Sequence, residues 1–244
     1  MNRLLLIIPA YNEEESILGV IKSVREFSQN SDEFRKMDIA LDYVVVNDGS
    51  TDATASICIE NGIKLIDLPV NTGLAGGFKA GMLYASENGF DCAVQIDADG
   101  QHRPEFITAM LAAMEIGKFD IVIGSRFVDK KKPVNARMLG SRIISFALRL
   151  TTGKRITDPT SGMRMYGKRI IDFLANNANS GPEPDTVAYL MSSGATVGEV
   201  QTDMKERTAG KTYLTFSKSI LYMLRMTMSI LFVQWFRKKE RINK

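Results

Sequence analysis

Five short runs rich in Leu, Ile and Val, at 3–8, 43–47, 64–67, 92–96 and 121–123, punctuate the first 125 residues of this chain. Helix-length stretches near 13–28, 51–61, 75–88 and 104–116 separate them. Apolar runs this short, without polar alternation, must be covered on both faces, and a parallel sheet between two helical layers covers them. The rhythm therefore predicts an α/β fold: a mainly parallel sheet flanked by helices. Ligands in such sheets lie outside the carboxyl ends of the strands.

Those strand ends carry the polar residues. The first run leads into Pro9-Ala10-Tyr11-Asn12-Glu13-Glu14, the second into Asp48-Gly49-Ser50-Thr51-Asp52, and the fourth into Asp97-Ala98-Asp99-Gly100-Gln101-His102. Capping by Ser50, Thr51 or Asp52 explains part of this, because a helix follows. It does not explain two carboxylates spaced i, i+2 after 92–96, where no helix begins before Pro104. Adjacent carboxylates with Gln101 suit a hard divalent cation, Mg²⁺ or Mn²⁺, shared with substrate phosphates. The single histidine, His102, excludes multi-histidine zinc chemistry and reads as a hydrogen-bonded structural residue. Two cysteines, Cys58 and Cys92, make no disulfide framework and read as buried, reduced thiols of a cytosolic protein. The run Gly73-Leu74-Ala75-Gly76-Gly77 does not spell a dinucleotide fingerprint.

Beyond residue 125 the pattern is less regular. Residues 135–150 predict an amphipathic helix, with Ile143, Ile144, Ala147 and Leu148 on one face and Arg142, Ser145 and Arg149 off it. A strand at 163–166, helices at 168–176 and 184–193, and a strand at 196–200 follow. A long apolar-rich helix over 214–236 ends in Trp235-Phe236-Arg237-Lys238-Lys239. Its longest uncharged stretch, 226–236, has 11 residues against the roughly 20 that a membrane span requires, so it reads as an interfacial helix. An oligomer contact is the competing use. The run 4–8 is too short for a secretory signal.

The net charge of +3 hides an asymmetry. Residues 126–155 hold nine bases and one acid, 205–244 hold ten and two, and the remainder holds 12 bases against 25 acids. Two basic segments on an acidic body point to a phosphate or an anionic membrane. No aromatic-interleaved platform accompanies them, so nucleic acid is not expected.

Taken together, Pro9-Ala10-Tyr11-Asn12-Glu13, Asn47-Asp48-Gly49-Ser50-Thr51-Asp52, Asn71-Thr72-Gly73 and Asp97-Ala98-Asp99-Gly100-Gln101 resemble the family 2, GT-A glycosyltransferases. Ser125-Arg126-Phe127, Asp158-Pro159-Thr160-Ser161-Gly162-Met163-Arg164 and Glu206-Arg207 with Gly210-Lys211-Thr212 resemble its polyprenyl-phosphate branch, which includes dolichol-phosphate mannose synthase and bacterial undecaprenyl-phosphate enzymes. The resemblance covers roughly 3–212 and implies a GT-A, Rossmann-like catalytic domain over 1–212, with 213–244 as a basic amphipathic helix and tail. It implies that Pro9, Tyr11 and Glu13 line a nucleotide pocket, that Asp48 meets base or ribose, and that Asp97 meets ribose or metal. Asp99 and Gln101 complete the metal set. Arg126, Arg137, Ser141 and Arg207, supported by Lys211, grip the acceptor phosphate and the diphosphate. The i, i+4 spacing of Arg137 and Ser141 places them on one helix face, in agreement.

The implied activity is inverting transfer from a nucleotide sugar, with UDP-linked glucose or N-acetylglucosamine favoured, to undecaprenyl phosphate at the cytoplasmic membrane face. A small membrane protein or a second copy are the further partners it suggests. A sugar-hydroxyl acceptor is the alternative, for which Glu183 and Asp185 are the candidate bases. One departure stands out: Asn47 occupies a position where the family commonly has Asp.

Overall fold

Strand β1 (Arg3–Ala10) is an inner strand, third in a seven-stranded sheet of order β3-β2-β1-β4-β6-β5-β7. The computed structural model describes residues 2–177, 181–205, 216–233 and 242. β2 (Ala40–Asp48), β3 (Leu65–Leu68) and β4 (Cys92–Gln95) extend the β1 side in parallel. β5 (Ile121–Ser125) pairs in parallel with β7 (Val197–Gln201). β6 (Arg164–Gly167) lies between β4 and β5 and runs antiparallel to both. The sheet is thus mainly parallel, as the strand spacing predicts, with one reversed strand that periodicity does not reveal.

Both faces are buried, which explains the unbroken apolar runs. Leu5 and Ile7 of β1 point into a cluster with α4 (Gly73–Glu87), α6 (Ala136–Thr152), α7 (Lys168–Asn176) and α8 (Pro184–Ser192). Leu4, Leu6 and Ile8 point into the other, with α1 (Ile17–Asn30), α3 (Thr54–Glu60) and α5 (Phe106–Gly117). Period-two alternation of side chains along a strand makes this division automatic. A short helix, α2 (Asp32–Lys36), was not legible in the sequence; its Phe34 packs on Phe27 of α1 at 5.0 Å between ring centroids. Both cysteines are free and buried, and burial pushes the Cys92 thiol up to about 12.

The expected C-terminal helix is present as α9 (Phe216–Met228) with a π-helical turn, Ser229–Val233; the stretch from Trp235 to Lys239 lies outside the described residues. Its inner face is not free for a membrane, because Met226 and Ile230 are buried in the α4–α8 cluster. It packs on α6 so closely that a Cβ on Gly140 would meet the Met223 side chain at 2.7 Å. Among the described residues no helix is long and apolar enough to cross a membrane.

Ile7 is fully buried, and its side chain fills the space that a Cβ on Gly81 of α4 would need. Replacement by alanine leaves a cavity in a close-packed layer, so Ile7→Ala is expected to cost about 2–5 kcal/mol, read as a lower urea midpoint with an unchanged slope.

Candidate active site

The carboxyl ends of β1 and β2 are laced together by their own polar side chains. Asn12, with a left-handed φ of 55°, donates its N–H to Ser50 Oγ at 2.9 Å, and its Oδ1 accepts the Thr51 N–H at 2.8 Å. The Glu13 N–H reaches Thr54 Oγ1 at 2.9 Å, and the Ala53 N–H reaches Glu14 at 2.9 Å. Residues 11–16 are spent on this lacing, so α1 starts at Ile17 rather than near 13. Pro9 and Tyr11 lie at this strand end, both partly exposed.

Asp48 is buried, and its Oδ1 accepts both the N–H and the hydroxyl of Thr72, at 2.7 and 2.6 Å. It therefore anchors the Asn71-Thr72-Gly73 turn that starts α4. Gly49 (φ 65°) permits this, because a Cβ there would lie 2.5 Å from the Asn71 nitrogen. Asn47 donates to Asp67 at 2.6 Å. An aspartate at 47 would face a second carboxylate there, which gives the departure from the family pattern a physical reason.

At the end of β4, Asp99 is buried and its Oδ1 accepts the Gln101 N–H at 3.0 Å. Asp97 is partly exposed, and its N–H donates to Nδ1 of the buried His102 at 2.8 Å. As an acceptor, Nδ1 carries no proton, so the imidazole is held as the Nε2–H tautomer. That Nε2 has no partner among the described residues, and neither has Gln95 Oε1, whose amide nitrogen lies 3.4 Å from Asp97 Oδ1. Gln101 exchanges backbone and side-chain bonds with Lys205, which brings Lys205 beside the loop of the two carboxylates. Arg207 and Lys211 lie outside the described residues.

The segment 157–164 closes this corner. A Cβ on Gly162 would lie 2.9 Å from Asp97 Oδ2 and 3.1 Å from the His102 ring, so a larger residue there would displace the Asp97 carboxylate. Asp158, fully buried, receives the Arg126 guanidinium through Nε at 2.6 Å and Nη2 at 2.9 Å. Burial pushes its carboxyl up, but the Arg126 bonds outweigh that and hold it below the usual carboxylate range. Glu199 of β7 holds the same segment through the Thr157 N–H and hydroxyl and the Asp158 N–H, at 2.7, 2.8 and 3.0 Å. Arg164, 1% exposed, donates to the carbonyls of Ser161, Pro182, Glu183 and Pro159 at 2.7–3.2 Å. It thereby ties the 157–164 segment to the start of α8.

Across that segment lies a cavity of about 710 Å³ lined by six cations, Lys130, Lys131, Lys132, Arg142, Arg149 and Arg155, with Asp129 as its one acid. Lys132 reaches furthest in. Its ammonium donates to Ser141 Oγ at 2.9 Å and Ser145 Oγ at 3.4 Å and sits 5.5 Å from the Phe127 ring centre. Burial pushes it below the ordinary lysine value, with Asp158 pulling the other way. Ser141 is itself fully buried behind Lys132, not on the cavity wall. Arg137 falls in the first turn of α6, and its side chain is outside the described residues. Sequence reasoning missed Lys132 and Glu199 and marked Asp158 and Arg164 only as the ends of a motif, without a role; a basic triplet carries no signal of which member turns inward.

A second cavity, of about 480 Å³, is lined by Glu183, Asp185, Lys79, Tyr222 and Arg225. Burial raises the Glu183 carboxyl, and Asp185 accepts the Ser229 hydroxyl at 2.7 Å.

An acidic corner and a cationic cavity thus share one wall at the carboxyl end of a parallel sheet. Residues 5–174 match the family model described as glycosyl transferase family 2. The chain belongs to glycosyl transferase family 2. Over 225 residues this family 2 chain is 31% identical to an undecaprenyl-phosphate mannosyltransferase of Micrococcus luteus, covering 87% of this chain and 88% of that one. It is 27% identical to a polyprenol monophosphomannose synthase of Mycolicibacterium smegmatis, over 85% and 79% of the two chains. It is 31% identical to a UDP-N-acetylglucosamine–dolichyl-phosphate N-acetylglucosaminyltransferase of Methanococcus voltae, over 70% and 71%. Its fold matches glucosyl-3-phosphoglycerate synthase of Mycobacterium tuberculosis, solved with Mn²⁺, UDP-glucose and phosphoglyceric acid, with a TM-score of 0.65 at 18% identity over 97% and 81% of the chains.

Asp97 and Asp99 are the residues of this family 2 chain that could hold a hard cation. Among the described residues no three acids, histidines or cysteines converge. Two carboxylates at one loop match a cation that takes its remaining ligands from substrate phosphates and water.

The Arg126–Asp158 pair is the wall's hinge pin. Arg126→Met leaves a buried carboxylate unpaired and is expected to cost about 3–5 kcal/mol at neutral pH. Because the folded-state pKa of Asp158 is lowered, its contribution is full above the unfolded value of about 4 and is lost as pH falls through the folded one. Denaturant titrations from pH 7 to pH 2 are expected to show a shallower acid loss in the variant than in the parent.

Proposed function

We propose that the protein transfers a sugar from a nucleotide sugar to a polyprenyl phosphate, undecaprenyl phosphate by preference, with inversion, at the cytoplasmic face of the membrane. One observation carries the reading: the segment 157–164 presents Gly162 to Asp97 and Thr157 to the cationic cavity, so two anionic substrates would meet across it. The names of the relatives support a polyprenyl-phosphate acceptor, and those relatives differ in their sugars.

The chemistry follows from charge. A phosphomonoester has a second pKa of about 6, so at pH 7 the acceptor is already an anionic nucleophile and needs no general base. The obstacle is repulsion between that phosphate and the donor diphosphate. Lys132 and the other cavity cations would hold the acceptor oxygens and lower this repulsion, with Arg126 behind them pairing Asp158. Asp97 and Asp99, with Gln101 beside them, would hold Mg²⁺ or Mn²⁺, which supplies positive charge to the diphosphate leaving group. Pro9, Tyr11 and Glu13 would border the nucleoside. Asp48 would act there mainly by fixing the Thr72 turn. Direct displacement at the anomeric carbon would convert an α-linked donor into a β-linked lipid phosphate.

A sugar-hydroxyl acceptor is a second reading, favoured by one observation. Glu183 lines a separate cavity, and its raised carboxyl suits a base that takes a hydroxyl proton.

The test is a panel of UDP-glucose, UDP-N-acetylglucosamine and GDP-mannose, each with undecaprenyl phosphate or a free sugar acceptor, with Mg²⁺ or Mn²⁺. A labelled lipid product, stable to mild base and labile to mild acid, is expected from one UDP-sugar; product on the free sugar alone overturns the reading. Asp99→Asn is expected to lower kcat at least 100-fold with the fold retained. Lys132→Gln is expected to raise the KM for polyprenyl phosphate about tenfold, roughly 1.4 kcal/mol, and to leave the donor KM unchanged.

A further inference from the structure

Beyond β4 the main-chain ladder to β1 ends at Ile96, whose N–H reaches the Ile7 carbonyl at 3.1 Å. The next amide, that of Asp97, is the one received by His102 Nδ1 at 2.8 Å. A turn at 98–99 brings the chain back so that this bond closes. Within the turn the Gln101 N–H donates to Asp99 Oδ1 at 3.0 Å. Two internal bonds thus brace the loop 97–102: one holds the main chain of Asp97, the other the side chain of Asp99.

The chemistry of the acceptor at 102 is informative. Elsewhere along this sheet edge the loop amides go to oxygens: Asn12 to Ser50, Glu13 to Thr54, Ala53 to Glu14 and Thr72 to Asp48. A carboxylate acceptor beside Asp97 would add a third negative charge to the corner. A hydroxyl would bring a freely rotating group. The neutral ring nitrogen of His102 does neither, and its side chain is only 1% exposed. Gly162 lies against this ring and against the Asp97 carboxylate, so the imidazole is wedged between the Asp97 main chain and the 157–164 segment. Packing alone does not call for an imidazole here. Its Nε2–H is buried with no partner among the described residues, a loss of stability that a leucine of similar size would not carry.

We propose that His102 is a positioning residue for the metal corner: through Nδ1 it fixes the Asp97 main chain and thereby aims the Asp97 carboxylate at the cation that Asp99 shares. It touches neither the cation nor a substrate; it acts through Asp97, as residues behind a ligand commonly do. The proposal rests on the reading of Asp97 and Asp99 as the metal-holding pair. Without the bond to His102, the Asp97 amide is free to turn toward solvent and carry its side chain with it. A hard cation with narrow geometric demands binds poorly to a carboxylate displaced by on the order of 1 Å.

Mn²⁺ uptake by the full chain, followed as loss of the free-ion electron paramagnetic resonance signal with UDP or with GDP present, reads the corner without turnover. Asparagine places its Oδ1 where histidine carries Nδ1, whereas glutamine carries its amide one bond further, near the place of Nε2. His102→Leu and His102→Gln are expected to weaken Mn²⁺ binding about tenfold, and His102→Asn to stay within about threefold of the parent. Parent-like affinity in His102→Leu, or His102→Asn binding no better than His102→Gln, would overturn the positioning role. A ring that served packing alone would show as the asparagine and glutamine variants falling together. If His102→Leu does not fold, the comparison of those two decides. No uptake by the parent with either nucleotide refutes the metal reading of Asp97 and Asp99 itself. Uptake that Asp99→Asn abolishes and His102→Leu leaves intact refutes the positioning role alone.

Discussion

The site depends on holding a buried carboxylate, Asp158, between a guanidinium on one strand and the strand that follows it in space. Arg126 leaves the end of β5 and meets Asp158 with two N–H donors, while Glu199 on neighbouring β7 fixes the backbone and hydroxyl of the same segment. A fully buried charge is tolerated only when paired and hydrogen-bonded, so this arrangement admits little slack. The consequence is a segment held from two sides. Gly162 abuts Asp97 on one side, and Thr157 borders the cationic cavity on the other.

Arg164 extends the same logic. It is a buried cation that forms no direct ion pair among the described residues and is satisfied by four main-chain carbonyls from two separated stretches, 159–161 and 182–183. Its planar fork matches several acceptors at once, which an ammonium would not. It fixes the start of α8 against the 157–164 segment, and therefore Glu183 relative to Asp97, without touching any reacting group. Polar pairing at the strand ends plays the same part: Asp48 holds Thr72, and Asn47 holds Asp67. Several acids that sequence alone would offer to a ligand are engaged in shaping the loops that surround one.

Strand number, all the helices but the short α2, and the location of the polar loops were legible from residues 3–125, because two-sided burial imposes continuous apolar runs that ordinary loops do not show. The Asp97–Asp99 corner was legible for a similar reason, since capping could not account for it. The reversed direction of β6 was not, because a buried strand between two others looks the same in either direction. Nor was the Lys132–Ser141 contact legible, because spacing along α6 does not reveal that the Lys130-Lys131-Lys132 stretch folds back and sets the Lys132 ammonium on the buried Ser141 hydroxyl.

The amino-acid sequence by itself determined the layered α/β architecture, the edge on which polar chemistry gathers, and the separation of an acidic body from basic segments. These follow from local periodicity and charge order, which need no knowledge of what packs where. Only the tertiary structure decided which cation turns inward, which carboxylates are consumed by pairing, and which apolar side chains of α6 and α9 are left facing outward. Those outcomes depend on contacts between residues dozens of positions apart, such as Arg126 with Asp158 and Gly140 with Met223, and burial assigns them only once the chain has closed.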